Sequence, residues 1–499
     1  MKIDEAGKDN NRGWMLLGLM VLLLVGAVLR IYRLDSGLWF DEIRTVISSV
    51  RSPLLEIVTH YPSNNDHLLY SVLAHLSISV FGEQPWSLRL PAAVFGIASI
   101  PMLYLLGRTV TSRFDALMAA MMLTFSYHHI WFTQNARGYT ALLFWVMLAT
   151  FLLLQWYSRG SKSALVWYAI VAALGSYTHL TMVFVVMSHA LVFVWVFFVP
   201  RSGSNPGGPD WRHAATAFIA AGVLTIILYS PMLLDLQSFF SGTAGTETVE
   251  TPFWALLAAL RSLHVGLGGL FAVLVAMTIF GIGVLGYLQR NRVALALFLL
   301  PGVVTLLVAV AMGRPVYPRF LFFLMGFVLL IVVEGASTIG QWLARRRDVP
   351  VRLRYGRMMA GLLSVGVVAV SIRSLPYGYA YPKQDYVQAM DYILENREAG
   401  DRVKVVGITS SFPFIEYYRQ PWGQIDNAEQ LRQVRSSGGI VWVIYTFPVY
   451  LEESVPDLKQ QIEDTCEARA SFHGTVAGGD IAVFRCPPVP QTGQIGGQR

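Results

Sequence analysis

His67-Leu-Leu-Tyr-Ser-Val-Leu-Ala-His-Leu-Ser-Ile-Ser-Val80 is the stretch whose reading decides the topology. Leu68, Leu69, Val72, Leu73, Leu76 and Val80 recur at helical spacing, so the segment forms a helix with an apolar face. It is short for a membrane span, where about 20 apolar residues cross a hydrocarbon core of about 30 Å. Its Ser and His residues supply a more polar face, as in a helix lying along the membrane surface. Counting it as a span would invert the orientation of everything after it.

The distribution of basic residues decides between the two readings, because cytoplasmic loops are enriched in Lys and Arg. With His67–Val80 left in the interface, the cations from Lys2, Lys8 and Arg12 through Arg108, Arg113, Arg159, Lys162, Arg201, Arg212, Arg290 and Arg292 to the run Arg345–Arg357 all fall on the cytoplasmic side. They form the majority of the loop cations outside the C-terminal region. The alternative reading reverses that majority, so residues 34–87 are expected to form one long external loop. The Arg345–Arg357 run is explained by topology and headgroup contact rather than by nucleic acid.

Composition agrees with a membrane protein: 54% of residues are hydrophobic and 14% charged, and the mean hydropathy is +0.50. A soluble globular chain of this length does not look like this. Spans are expected at Trp14–Ile31, Leu88–Leu106, Ala116–Phe132, Tyr139–Trp156, Ala164–Tyr177, Thr181–Val199, Ala214–Leu234, Leu270–Leu288, Val293–Met312, Phe320–Leu343 and Met358–Ile372. The fold class is therefore a polytopic α-helical membrane protein of about eleven transmembrane helices, with residues 1–13 cytoplasmic and the membrane domain over 14–374. The first span lacks a small-residue cleavage site and reads as a retained helix.

From about residue 375 the pattern changes to mixed charge and short alternating elements. Helices are expected at Asp385–Glu398, Ala428–Val434 and Ser454–Ala468, and strands at Arg402–Gly407, Ile440–Phe447 and Ile481–Arg485. Residues 375–487 are enough for one small external α/β domain, followed by a Gly, Gln and Pro tail over 488–499 expected to be disordered. The two cysteines, Cys466 and Cys486, both fall in this domain, and an oxidising compartment favours a disulfide over two free thiols.

Polar residues then collect on the external side. Asp41 and Glu42 follow the first span; Asn64, Asn65, Asp66 and His67 precede the interfacial helix; Gln134, Asn135, Arg137 and Tyr139, then Tyr177 and His179, His264, and Arg314, Tyr317 and Arg319 lie at other helix ends. Each has a bland reading: a solvated acidic pair, arginines snorkelling to headgroups, and His128 and His129 as structural residues of an aromatic-rich helix end. Their shared side makes one polar cavity the better reading. Carboxylates together with Arg and His suit a substrate carrying a phosphate and a hydroxyl to be activated, and the apolar helices suit a lipid tail.

At these residues the chain resembles the C-type membrane glycosyltransferases, in particular the superfamily of protein O-mannosyltransferases and lipid A aminoarabinose transferases. The resemblance rests on Asp41-Glu42, on Asp66-His-Leu-Leu-Tyr70 leading to Phe81-Gly82 and Arg89-Leu-Pro91, on Gln134-Asn-Ala-Arg-Gly-Tyr139, on Tyr177-Thr-His179 and on Tyr317-Pro-Arg-Phe320. It departs from the family at Leu68-Leu-Tyr-Ser71, where many members have Pro-Pro-Leu-Tyr-Tyr. The resemblance implies inverting transfer of a sugar from a polyprenyl-phosphate donor to a hydroxyl of a glycan, lipid or protein acceptor at the external face. It implies Asp41 as general base with Glu42 beside it. Arg137, His179 and Arg319 become candidates for the donor phosphate, with Tyr139, Asp66, His67 and Gln134 completing the substrate site. A divalent cation is used by some relatives, but no dense ligand motif requires one here. The competing readings are a transporter or flippase of a lipid-linked sugar, which leaves the glycosyl-phosphate bond intact, and a membrane-anchored glycan-binding protein.

Overall fold

The computed structural model describes residues 3–61, 67–198, 210–241, 269–312 and 317–489. The chain divides into two compact units, one of Met1–Leu34 with Pro53–Pro376 and one of Asp35–Ser52 with Tyr377–Arg499.

The first unit is a helical membrane protein. Nine of its described helices are long and apolar enough to cross a membrane by length and composition, from Gly13–Ile31 to Val349–Ala380. The two remaining expected spans are shorter helices. Lys162–Thr178 has 17 residues, and Ala116–Phe132 is divided at Ser126 into Arg113–Phe125 and Tyr127–Thr133. The decisive segment is an apolar helix of 14 residues, Leu68–Phe81. Helix faces that meet no protein carry Met20, Leu24 and Val28 on the first span and Phe271 on Leu270–Arg290, all exposed, as expected of a surface solvated by lipid.

The break at Ser126 has an identifiable partner. Ending the helix there leaves the last carbonyls without intrahelical donors, and the buried Arg30 guanidinium donates to Leu123 O at 3.1 Å and Thr124 O at 3.0 Å. The same group reaches His129 Nδ1 at 2.6 Å, which gives that histidine a structural part. Deeper in the bundle, three helices share a closed polar joint: Thr150 donates to Val146 O, His189 Nε2 lies 3.2 Å from Thr150 Oγ1, and Tyr168 O–H lies 3.2 Å from His189 Nδ1. Satisfied polar groups of this kind tie helices together where the surrounding lipid gives no hydrophobic drive.

The second unit contains a five-stranded sheet in the order β2-β1-β3-β5-β4, with β1 Arg402–Val406, β2 Gly423–Ile425, β3 Val441–Thr446, β4 Glu467–Phe472 and β5 Ile481–Cys486. β1 runs parallel to β2 and β3, while β5 runs antiparallel to β3 and β4. β3 is central because every residue of Val-Trp-Val-Ile-Tyr-Thr is buried, as a strand covered on both faces requires. β4 is an edge whose Glu467 and Arg469 are exposed, which blunts further pairing. Helix Tyr386–Asn396 buries Tyr386, Ala389 and Ile393, one helical stripe. Cys466 and Cys486 are joined as a disulfide at the junction of β4 and β5. β2, β4 and a helical stretch over Ile408–Tyr417 add to the elements expected from sequence.

Candidate active site

In the first unit, four candidate residues meet at helix ends. His67 precedes the Leu68–Phe81 helix, Arg137 and Gly138 precede Tyr139–Arg159, and His179 follows Lys162–Thr178. The His67 ring stands edge-on to Tyr139 at 4.9 Å and to His179 at 4.8 Å between centroids. The Arg137 guanidinium lies over Tyr139 at 5.7 Å. Arg319 lies over Tyr317 at 4.7 Å, and the neighbouring Phe320 ring contacts His179 at 6.1 Å. Helix termini concentrate polar groups where a bundle would otherwise bury only hydrocarbon, so a charged site forms there without breaking a span.

The backbone fixes the proton on both histidines. Gly138 N–H donates to His67 Nδ1 at 2.7 Å, and Thr181 N–H donates to His179 Nδ1 at 3.2 Å. A ring nitrogen that accepts carries no proton, so each neutral imidazole holds its hydrogen on Nε2. Arg137 Nη2 lies 3.3 Å from His67 Nε2. Two N–H donors therefore face each other, a geometry suited to an oxygen anion accepting from both. Gly138 makes it possible: a Cβ there would lie 2.8 Å from His67 Nδ1 and 3.1 Å from Thr178 Cγ2.

Among the described site residues, the positive charge sits on Arg137 and Arg319. Loss of solvation, then Arg137, His179 and Arg319, hold His67 well below the usual histidine range. His179 keeps a partly exposed edge, yet desolvation followed by Arg137 and Arg319 pushes it down to about 3. The unfolded chain takes up protons below about pH 6.5 while these folded rings do not, so stability is full above that pH and falls as pH drops. Each ring contributes about 1.4 kcal/mol of loss per pH unit in that window. Melting of the detergent-solubilised protein is expected to fall from pH 7 to pH 5, with a shallower slope after His67→Gln and His179→Gln together; an unchanged slope would contradict the neutral assignment.

Gln134 is held by backbone, its amide donating to Tyr32 O at 2.7 Å and Arg30 O at 3.2 Å. It ties the Arg137 loop to the end of the first span. Arg89, fully buried, does similar work by donating to Leu34 O at 2.9 Å. Asp66 lies outside the described residues, as do Asn64, Asn65, His264 and Arg314.

Asp41 and Glu42 belong to the second unit, on helix Phe40–Thr45. Both are buried, Glu42 completely and Asp41 with 8% of its surface accessible. Glu42 Oε2 accepts from Trp39 N–H at 3.2 Å, so it folds back to hold the helix start. Thr45 Oγ1 donates to Asp41 O at 2.9 Å. Among the described residues no group of three or more His, Cys, Asp or Glu side chains is placed to hold a metal ion.

Comparison with known proteins gives the fold a name. Residues 66–234 match the family model described as dolichyl-phosphate-mannose-protein mannosyltransferase, a stretch containing His67, Arg137, Tyr139 and His179. No curated protein matches the chain by sequence. ArnT from Cupriavidus metallidurans in the apo state is 12% identical with a TM-score of 0.53, over 95% of this chain and 98% of that one. Its form bound to undecaprenyl phosphate is 13% identical with a TM-score of 0.51, over 97% and 99%. The Archaeoglobus fulgidus oligosaccharyltransferase in complex with Zn and sulfate is 11% identical with a TM-score of 0.54, over 95% of this chain and 74% of that one. The chain has the fold of the C-type membrane glycosyltransferases.

Proposed function

We propose that this protein is an inverting glycosyltransferase that moves a sugar from a polyprenyl-phosphate donor to a hydroxyl of a glycan, lipid or protein acceptor. The observation that carries this reading is the pair of opposed donors, Arg137 Nη2 and His67 Nε2–H, 3.3 Å apart beside His179 and Tyr139. The fold adds support, since one solved structure of this architecture is bound to undecaprenyl phosphate. We place the protein in the plasma membrane with its N-terminus in the cytoplasm and the reaction on the external face, on the strength of the loop charges.

In this reading the acceptor hydroxyl gives its proton to Asp41 as its oxygen attacks C1 of the sugar. The C1–O bond to phosphate breaks, and the leaving polyprenyl phosphate keeps the bonding pair. A phosphodiester donor carries one negative charge and the departing monoester carries two, so Arg137 and Arg319 hold the products of cleavage more strongly than the donor. Differential binding of this kind is what lowers a barrier. His67 and His179 contribute neutral N–H donors, and Glu42 holds the turn that presents Asp41. Direct displacement inverts the anomeric centre.

Proteoliposomes supplied with a panel of radiolabelled polyprenyl-phosphate sugars and a membrane and glycan extract test the reading. The expected result is label in an acceptor, with polyprenyl phosphate released. Label crossing the bilayer with its glycosyl-phosphate bond intact would establish a transporter instead.

A further inference from the structure

We infer that the C-terminal α/β unit is the mount of the acidic segment, and that Gln384 is the residue that positions Asp41. The inference rests on the reading of Asp41 as the base. Residues Asp35–Ser52 fall in the same compact unit as the sheet although more than 300 residues of chain separate them from it. The contact that joins them is specific. Phe40 N–H, one residue before Asp41, donates to Gln384 Oε1 at 2.9 Å.

The backbone donor fixes which way the amide faces. With Oε1 committed to Phe40, the Gln384 NH2 donates to Thr446 Oγ1 at 3.0 Å, and Thr446 in turn donates to Gly479 O at 3.1 Å. Gln384 is 1% exposed and Thr446 fully buried. A buried amide with both ends used has one orientation, since any rotation leaves polar atoms unpaired.

The clamp is itself held on both sides. Thr446 ends β3, the central strand, so the amide is tied to the fully buried middle of the sheet. On the other side Val476 N–H donates to Lys383 O at 3.1 Å and Thr475 N–H to Pro382 O at 2.9 Å. Gly474 lets that loop approach, because a Cβ there would lie 2.2 Å from Lys383 O. The residue after Thr446, Phe447, has φ of 54°, a left-handed conformation costly for an aromatic residue. It places the Phe447 ring edge-on to Phe40 at 6.5 Å. Phe40 is thus gripped by its amide and by its ring.

Further along the same segment, six residues past the acidic helix, Arg51 lies over the Tyr417 ring at 5.2 Å, a second contact between Asp35–Ser52 and the rest of this unit. Tyr386, two residues beyond Gln384, donates to Thr409 O at 3.1 Å and lies within electrostatic reach of Asp41. No residue of the clamp needs to touch substrate. Its effect is on where the carboxylate stands, and a displacement of about 1 Å at a catalytic group costs up to about 100-fold in rate.

The test compares Gln384→Leu, Gln384→Glu and Asp41→Asn in the full-length protein in proteoliposomes, reading kcat, donor KM, melting temperature and the pH profile. Gln384→Leu is expected to lower kcat by about 10- to 100-fold with donor KM close to wild type, and to lower detergent-phase melting modestly because the buried Phe40 N–H loses its acceptor. Gln384→Glu keeps an acceptor for Phe40 N–H, so it is expected to restore much of kcat. Its added negative charge should also move the acidic limb of the profile upward, because a like charge near a base disfavours ionisation. Wild-type kcat in a folded Gln384→Leu protein, or an unmoved acidic limb in Gln384→Glu, would overturn the inference. A fully active Asp41→Asn protein would instead overturn the base assignment, so the two failures are told apart.

Discussion

Asp41→Asn is expected to reduce sugar transfer by about 10²- to 10⁴-fold, the range associated with removing a positioned general base. Asn has the shape of Asp, so the hydrogen bond from Thr45 to the residue 41 carbonyl and the clamp on Phe40 remain. What disappears is the basic oxygen. Binding of polyprenyl-phosphate sugar is expected to be retained, because the phosphate is assigned to side chains of the other unit; the loss therefore falls on kcat rather than KM. Glu42→Gln provides the contrast. Its side-chain oxygen can still accept from Trp39 N–H, so the turn survives and the effect is expected to be much smaller. Full transfer activity in Asp41→Asn would end the assignment of Asp41 as base. Equal losses in both variants would point to the acidic pair holding the loop rather than doing proton chemistry.

The membrane architecture was legible because lipid imposes a long-period rule that a single sequence displays. Tyr139–Arg159, Thr181–Phe198 and Leu270–Arg290 start within a residue of their expected positions, since an apolar helix ends where polar residues begin. The division of Ala116–Phe132 at Ser126 is not legible in the sequence, because the break is stabilised by Arg30, 94 residues from Thr124. In the α/β unit β3 announces itself as a run of β-branched and aromatic residues, whereas β2 has three residues and β4 carries charges at Glu467 and Arg469 with a small Ala or Ser at most other positions; neither has a pattern of its own.

The candidate site divides in the same way. His67, Arg137, Tyr139 and His179 were visible as unusual polar residues at span ends, and the fold brings them together. Gly138 was part of the quoted motif, but its use as the space His67 occupies depends on a contact 71 residues away. Gln384 carried no signal: a glutamine between domains is ordinary, and its partners at residues 40, 446 and 479 are set by topology alone. The pairing of the acidic segment with the C-terminal unit is equally a product of long-range packing.

Replacing Arg137 by Lys is expected to lower kcat by about 10²- to 10³-fold, comparable to deleting a donor from an oxyanion site. Lys keeps the charge but loses the planar fork that holds two oxygens at once. Arg137 is 2% exposed, so His67→Leu serves as a second variant that removes the opposed N–H donor without changing charge. The pH dependence then separates two versions of the site. If imidazolium rings bound the phosphate, donor KM would rise as pH increased through about 6.5. With His67 held well below the usual range and His179 at about 3, both rings stay neutral from pH 5.5 to 8. The phosphodiester donor does not titrate there either, so donor KM is expected to be flat while the arginines remain. A KM that climbs through the histidine range, and ceases to do so in His67→Leu, would show that the site carries more positive charge than its backbone hydrogen bonds allow.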